Sequence, residues 1–178
     1  MLDPKELAVS NAMAAEYFTV VPDTYASYCP VASRIAAEVF RHFDIAANLL
    51  PCQLWYVTPN SNHVLGFVGK ADPGRWDGHV VCTTRTLLVD GGLQGIQRDF
   101  GIPMPGIVVA GRFTTPSHAV ARKDLDVERR LWWLNAPYGF DTTPPRQPGK
   151  LINDYAAAIA ERVRERLKGG PDDRANAA

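Results

Sequence analysis

Three side chains in this sequence sit where their chemistry would be usable: a thiol, an imidazole and a carboxylate. Cys29 precedes Pro30 at the start of an amphipathic stretch. Proline suits the first turn of a helix, where its missing N–H would have no intrahelical partner anyway. A cysteine at that point lies among unsatisfied backbone N–H groups and the positive end of the macrodipole, which favour the nucleophilic thiolate. Ser, Thr, Asp and Asn cap helices better, so the cysteine serves the helix poorly. His79 and Asp90 lie in two runs, Gly78 to Thr83 and Thr86 to Asp90, separated by Thr84-Arg85. With those two residues as a hairpin loop, Thr83 faces Thr86, Val81 faces Leu88 and His79 faces Asp90, all on one face. Opposed Cβ atoms stand about 4.5–5.5 Å apart. The carboxylate would then fix the imidazole tautomer and stabilise its protonated form. Nucleophile, acid–base and orienter are the parts of covalent acyl transfer. Each residue also has a plainer reading: a small residue opening a helix, a satisfied histidine starting a strand, and a strand end before Gly91-Gly92.

Two more residues belong to the candidate site. Gln53 is a side-chain donor for an oxyanion hole, beside the backbone N–H of Cys29. Trp76 ends a turn-rich loop (Asp72-Pro73-Gly74) and would wall a substrate cleft or plug the edge of the core. The other thiols read as structural: Cys82 falls on the apolar face Val80, Cys82, Leu87, Val89, and Cys52 leads into a strand. Three cysteines without CxxC spacing argue against a disulfide framework or a structural zinc site. The four histidines show no HxxxH or HxH pairing. No cofactor is expected.

The elements that must position these groups follow from periodicity. Asp3 can cap a helix from Pro4 to about Tyr17, with Glu6 three residues after the cap. A second helix opens at Tyr28-Cys29-Pro30 and runs to about Phe43. Ala32, Ile35, Ala36, Val39, Phe40 and Phe43 form its buried face. Strands are predicted over Gln53–Thr58, His63–Val68, Gly78–Thr83, Thr86–Asp90, Ile107–Phe113 and Arg130–Asn135. The neighbours Trp132 and Trp133 put one ring on each face of the last of these. A final helix spans about Leu151 to Leu167, and the small polar residues from Gly169 to Ala178 are expected to be disordered. Helices, then closely connected strands, then a helix predict one α+β domain over residues 1–168, an antiparallel sheet with helices packed on it.

Composition narrows the partners. The chain has 178 residues, 46% hydrophobic, with Lys plus Arg and Asp plus Glu both 19. That zero net charge lacks the basic field a nucleic-acid binder uses. Arg162, Arg164 and Arg166 interleave with Glu161 and Glu165, as on a solvated helix face. No run approaches the ~20 apolar residues of a membrane span, and the first residues lack the pattern of a signal peptide. Reduced thiols and a cytoplasmic setting are expected, with a peptide or small amide or acyl substrate and no nucleic acid or membrane partner.

The order Cys29 at a helix start, His79 on a strand and Asp90 ending the next strand resembles the papain-like superfamily. Within it the chain is most similar to the transglutaminase-like branch, which includes arylamine N-acetyltransferases and leader-peptide proteases of lasso-peptide biosynthesis. The matching segments are Tyr28-Cys29-Pro30, Gly78-His79-Val80-Val81 and Leu87-Leu88-Val89-Asp90. The resemblance implies Cys29 as nucleophile, His79 as general base and then acid, and Asp90 as orienter. Water as second nucleophile would make a peptidase or amidase, and an amine would make a transferase. Two other classes stay open: a non-catalytic binding protein on the same fold, and a metal-dependent hydrolase using His79, Asp90 and another histidine.

Overall fold

Asp3 behaves as its residue type predicts, accepting the backbone N–H groups of Lys5 and Glu6 at 2.9 and 3.2 Å. Pro4 opens the first helix, α1 (Pro4–Val20). The computed structural model describes residues 1–26, 28–70, 76–113, 115 and 117–169. The Asp72-Pro73-Gly74 turn and the tail beyond Gly169 fall outside the described residues. A short helix, α2 (Asp23–Ala26), precedes the predicted amphipathic helix, α3 (Cys29–Arg41). Cys29 occupies the first turn of α3 rather than its cap, which is Tyr28 and makes no side-chain capping bond.

The strands follow. β1 (Asn48–Val57) begins five residues earlier than its β-branched and aromatic run predicts, with Pro51 inside it. Proline in a central strand usually breaks the ladder. Here the β1–β7 pairing begins at Cys52↔Asn135, so Pro51 has no partner on that side and its missing N–H removes no ladder bond. β2 (Asn62–Leu65) ends early because Gly66 and Phe67 take positive φ, +81° and +54°. β3 (His79–Thr83), β4 (Leu87–Asp90), β5 (Val108–Gly111), β6 (Ala119–Asp124) and β7 (Arg130–Asn135) complete the set. A helix the sequence did not announce, α4 (Gln94–Phe100), follows β4, and α5 (Gly149–Lys168) ends the chain's described part. β6 was also unforeseen: of its six residues only Val120 and Ala121 are buried.

The sheet runs β5-β4-β3-β1-β7-β6, every neighbouring pair antiparallel, with β2 added to β1. Its ends meet. Phe113 N–H donates to the Val120 carbonyl at 2.8 Å, and Arg112 bridges to Ala121. The α+β expectation holds, with the antiparallel sheet curled into a nearly closed barrel. Leu54, Val81, Leu88, Leu131 and Trp133 fill one core inside it. Val9, Met13, Ile35, Phe40, Ile159 and the outward Cys82 and Val89 form a second core under the helices. Among the described residues no helix is long and apolar enough to cross a membrane.

Candidate active site

The β3–β4 hairpin carries the first correction. Its register pairs Thr83 with Leu88 and Cys82 with Val89, and Thr84 N–H donates to the Leu87 carbonyl at 2.9 Å. The loop is therefore Arg85-Thr86, one residue later than Thr84-Arg85, and every cross-strand partner moves by two. Side chains alternate with period two, so a two-residue shift keeps each on its face. His79 and Asp90 are no longer directly opposed, yet they still share a face. His79 Nε2 lies 2.7 Å from Asp90 Oδ2, and both residues have 0% exposure.

Asp90 is held by three donors. Besides His79, Trp133 Nε1 donates to the same Oδ2 at 2.7 Å, and Gly92 N–H donates to Oδ1 at 2.8 Å. Both of its oxygens are therefore occupied inside the barrel. Trp133 was read from sequence as ordinary sheet packing. The only available signal was its alternation with Trp132, which places one ring inward without saying what the indole N–H meets.

Burial alone would push the His79 pKa down. The Asp90 charge and hydrogen bond, with the nearby Cys29 thiol, outweigh it and raise His79 to about 10. Nδ1, the other ring nitrogen, makes no hydrogen bond of acceptable geometry, although the Cys29 thiol is close enough to act on the ring. The linkage to stability has a definite sign. A histidine raised from 6.5 to about 10 on folding contributes stability that is fully present below pH 6.5 and lost as pH rises through 10. Chemical denaturation of the native chain at pH 6 to 10 should show falling stability, and a His79→Gln variant should lose most of that slope. A flat profile for the native chain would contradict the buried ion pair.

Cys29 reaches this pair through the α3–β3 contact. Ser33, one turn along from Cys29, is buried and donates its hydroxyl to the Val80 carbonyl at 2.7 Å, beside His79. That bond anchors α3 over the start of β3. Gly92 then lies between the two reactive groups. A Cβ there would stand 2.5 Å from Cys29 Cβ and 2.9 Å from His79 Cε1, two lengths whose sum bounds the separation of those atoms. Cε1 lies between the two ring nitrogens, and Asp90 takes Nε2, so Nδ1 is the nitrogen left for the thiol. Gly66, at its positive φ, is similarly tight: a Cβ would stand 2.4 Å from His79 N.

Cys29 is half-buried, while Cys52 and Cys82 are buried. Cys52 lies directly opposite His79 on β1, and burial, then the nearby Asp90 and Cys29 side chains, push its thiol pKa well up. Burial likewise pushes Cys82 up, only partly opposed by Arg41. Among the three thiols, Cys29 is the accessible one.

The remaining sequence candidates sit behind this centre. Gln53 follows Cys52 and so points to the other face of β1. There its Nε2 donates to the Phe67 carbonyl at 3.1 Å and its Oε1 accepts from Trp55 Nε1 at 2.7 Å. The amide nitrogen thus braces the Gly66-Phe67 turn, while the amide oxygen is held by a neighbour on β1 itself. Trp76 packs edge-on to Phe67, centroids 6.3 Å apart, and both rings press on Gly78, the residue before His79. It shores up the entry to β3. Among the described residues no group of three or more His, Cys, Asp or Glu is arranged to hold a metal ion. Compared with known proteins, the chain matches no family model, no curated protein and no solved structure.

Proposed function

We propose that the chain is a cysteine-nucleophile acyl-transfer enzyme on a papain-like, transglutaminase-like scaffold, with Cys29, His79 and Asp90 as its triad. One observation carries this reading: a half-exposed thiol at a helix start sits against an imidazole whose far nitrogen is bound to a buried carboxylate. A histidine with its pKa raised to about 10 carries its proton across the neutral range. An imidazolium beside a thiol favours the thiolate, as does the open first turn of α3. In the reaction, Cys29 Sγ attacks a carbonyl carbon and the C–S bond forms. The His79 Nδ1 proton passes to the leaving group as its bond to the carbonyl breaks. Water or an amine then attacks the thioester, returning a proton to Nδ1 and releasing the Cys29 sulfur. The backbone N–H of Cys29, in the first turn of α3, would supply one oxyanion donor. The substrate would be a peptide or a small amide or acyl compound.

A second reading has one observation in its favour: His79 and Asp90 have no exposed surface. The His79–Asp90–Trp133 bonds would then simply pin β3, β4 and β7 together in a binding or structural protein. Alkylation by iodoacetamide with mass-spectrometric readout separates the two, with Cys52 and Cys82 as internal controls. The enzyme reading expects rapid labelling of Cys29 below pH 7, slowed in His79→Ala. Labelling with the profile of an ordinary thiol of pKa about 8.5, or indifference to His79, would leave the structural reading standing.

A further inference from the structure

α2, just before Cys29 in the chain, and α4, just after Gly92, enclose a groove that no triad residue lines. α2 ends at Ala26, three residues before Cys29, and the Tyr28 N–H donates to the Tyr25 carbonyl at 3.1 Å, folding α2 against the start of α3. α4 begins two residues after Gly92, the residue wedged against Cys29 and His79. Gly95 N–H donates to the Gly92 carbonyl at 3.2 Å, so the first turn of α4 rests on that wedge. Between α2 and α4 lies an open groove of about 500 Å³. Asp23 forms one wall, and Gln94, Gln97 and Arg98 form the other.

The lining has a definite chemistry. Gln94, Gln97 and Arg98 stand at i, i+3 and i+4, one face of α4. Leu93 and Ile96 are buried in the barrel core, leaving the polar face to the groove. Small-molecule pockets of this size are mostly apolar, with a few polar groups that orient the ligand. Here every described lining residue is polar. An aliphatic or aryl acyl chain would meet only the short apolar stems of these polar side chains. A chain of amide groups would find a donor and an acceptor on each glutamine, with a carboxylate across from them.

We propose that this groove binds a polar peptide segment flanking the attacked carbonyl, with Gln94, Gln97 and Asp23 as specificity-determining residues. The proposal rests on the acyl-transfer reading of Cys29 and adds that the substrate's acyl part is peptidyl rather than a simple alkyl or aryl acyl group.

Two chloromethyl ketones test it, one built on a polar tripeptide and one on an alkyl chain of matched length. Each alkylates the thiolate: a C–S bond forms, the C–Cl bond breaks and chloride leaves. Iodoacetamide reads the thiol by itself in every variant. The peptidyl reagent is expected to label Cys29 at least about tenfold faster than the alkyl one, and saturably. Replacing Gln94→Leu and Gln97→Leu together should remove roughly tenfold of that preference, the worth of one or two hydrogen bonds. Asp23→Asn, on the opposite wall, should reduce it independently of any damage to α4. Equal rates for the two ketones, or variants that slow both ketones and iodoacetamide alike, overturn the groove while leaving the acyl-transfer reading intact. A Cys29 that iodoacetamide labels no faster than an ordinary thiol removes that reading, and the groove proposal falls with it.

Discussion

An Asp90→Asn variant should lose the low-pH reactivity of Cys29 while still folding. The carboxylate accepts from His79 and Trp133 through Oδ2 and from Gly92 N–H through Oδ1. An asparagine has one oxygen and one NH₂, so at least one of these donors must face another donor. A buried polar group left unpaired costs about 1–3 kcal/mol. The larger consequence is electrostatic. Without the Asp90 charge, burial becomes the dominant influence on His79 and pushes its pKa down. The imidazole is then neutral at pH 7, and the thiolate loses its counter-ion. At pH 6 a thiol of pKa near 8.5 is only about 0.3% ionised, so labelling there should slow by on the order of 100-fold. Trp133→Phe makes the instructive companion. It removes one bond to the charged oxygen, costing stability by roughly 1.5–3 kcal/mol, but leaves the carboxylate's charge, so most of the low-pH reactivity should survive. Both readouts come from alkylation rates against pH, combined with urea denaturation. An Asp90→Asn protein that labels as fast as the native chain at pH 6 would rule out Asp90 as orienter.

Gly92→Ala should be equally severe for a steric reason. The added carbon would meet Cys29 Cβ at 2.5 Å, His79 Cε1 at 2.9 Å and Cys29 Cα at 3.2 Å. A flexible side chain could swing away from such a clash, but a helix backbone and a ring pinned to Asp90 cannot. Overpacking of a tight site typically costs about 1–3 kcal/mol. The relief route is to move the start of α3 away from β3, which separates thiol from imidazole. Cys29 labelling in the variant should therefore follow the pH profile of an ordinary thiol. Gly149→Ala is the control: nothing lies within 4 Å of its added carbon, and its stability and Cys29 reactivity should match the native chain. Native-like labelling in Gly92→Ala would mean that Cys29 and His79 are not coupled across this glycine.

The candidate site was legible from sequence only to the extent that it depends on local pattern. Cys29 and Pro30 announce a helix start, and the structure puts them in its first turn. His79 and Asp90 stay on one face although the loop moved by a residue, because strand parity is insensitive to a two-residue shift. Gln53 was chosen for its amide, but the face it occupies follows from the β1–β3 register, which sets Cys52 rather than Gln53 opposite His79. Trp133 read as an ordinary aromatic on a strand, and Ser33 carries no signal of its own among the apolar residues of α3. Their hydrogen bonds, to Asp90 and to the Val80 carbonyl, reach partners 43 and 47 residues away.

By itself, the sequence determined the α3 helix, the β3–β4 hairpin, β7 and the α+β class. Each depends on hydrophobic period, turn residues and caps, which act within a few residues and so are written in adjacent letters. Only the tertiary structure decided that the sheet closes through Phe113 and Val120, that Trp133 comes in from β7 to meet Asp90, and that Cys29 lies against His79, 50 positions away in the chain. Strand order and the seating of a helix on a sheet are set by the best joint burial of many distant apolar faces. No local run of residues carries that information.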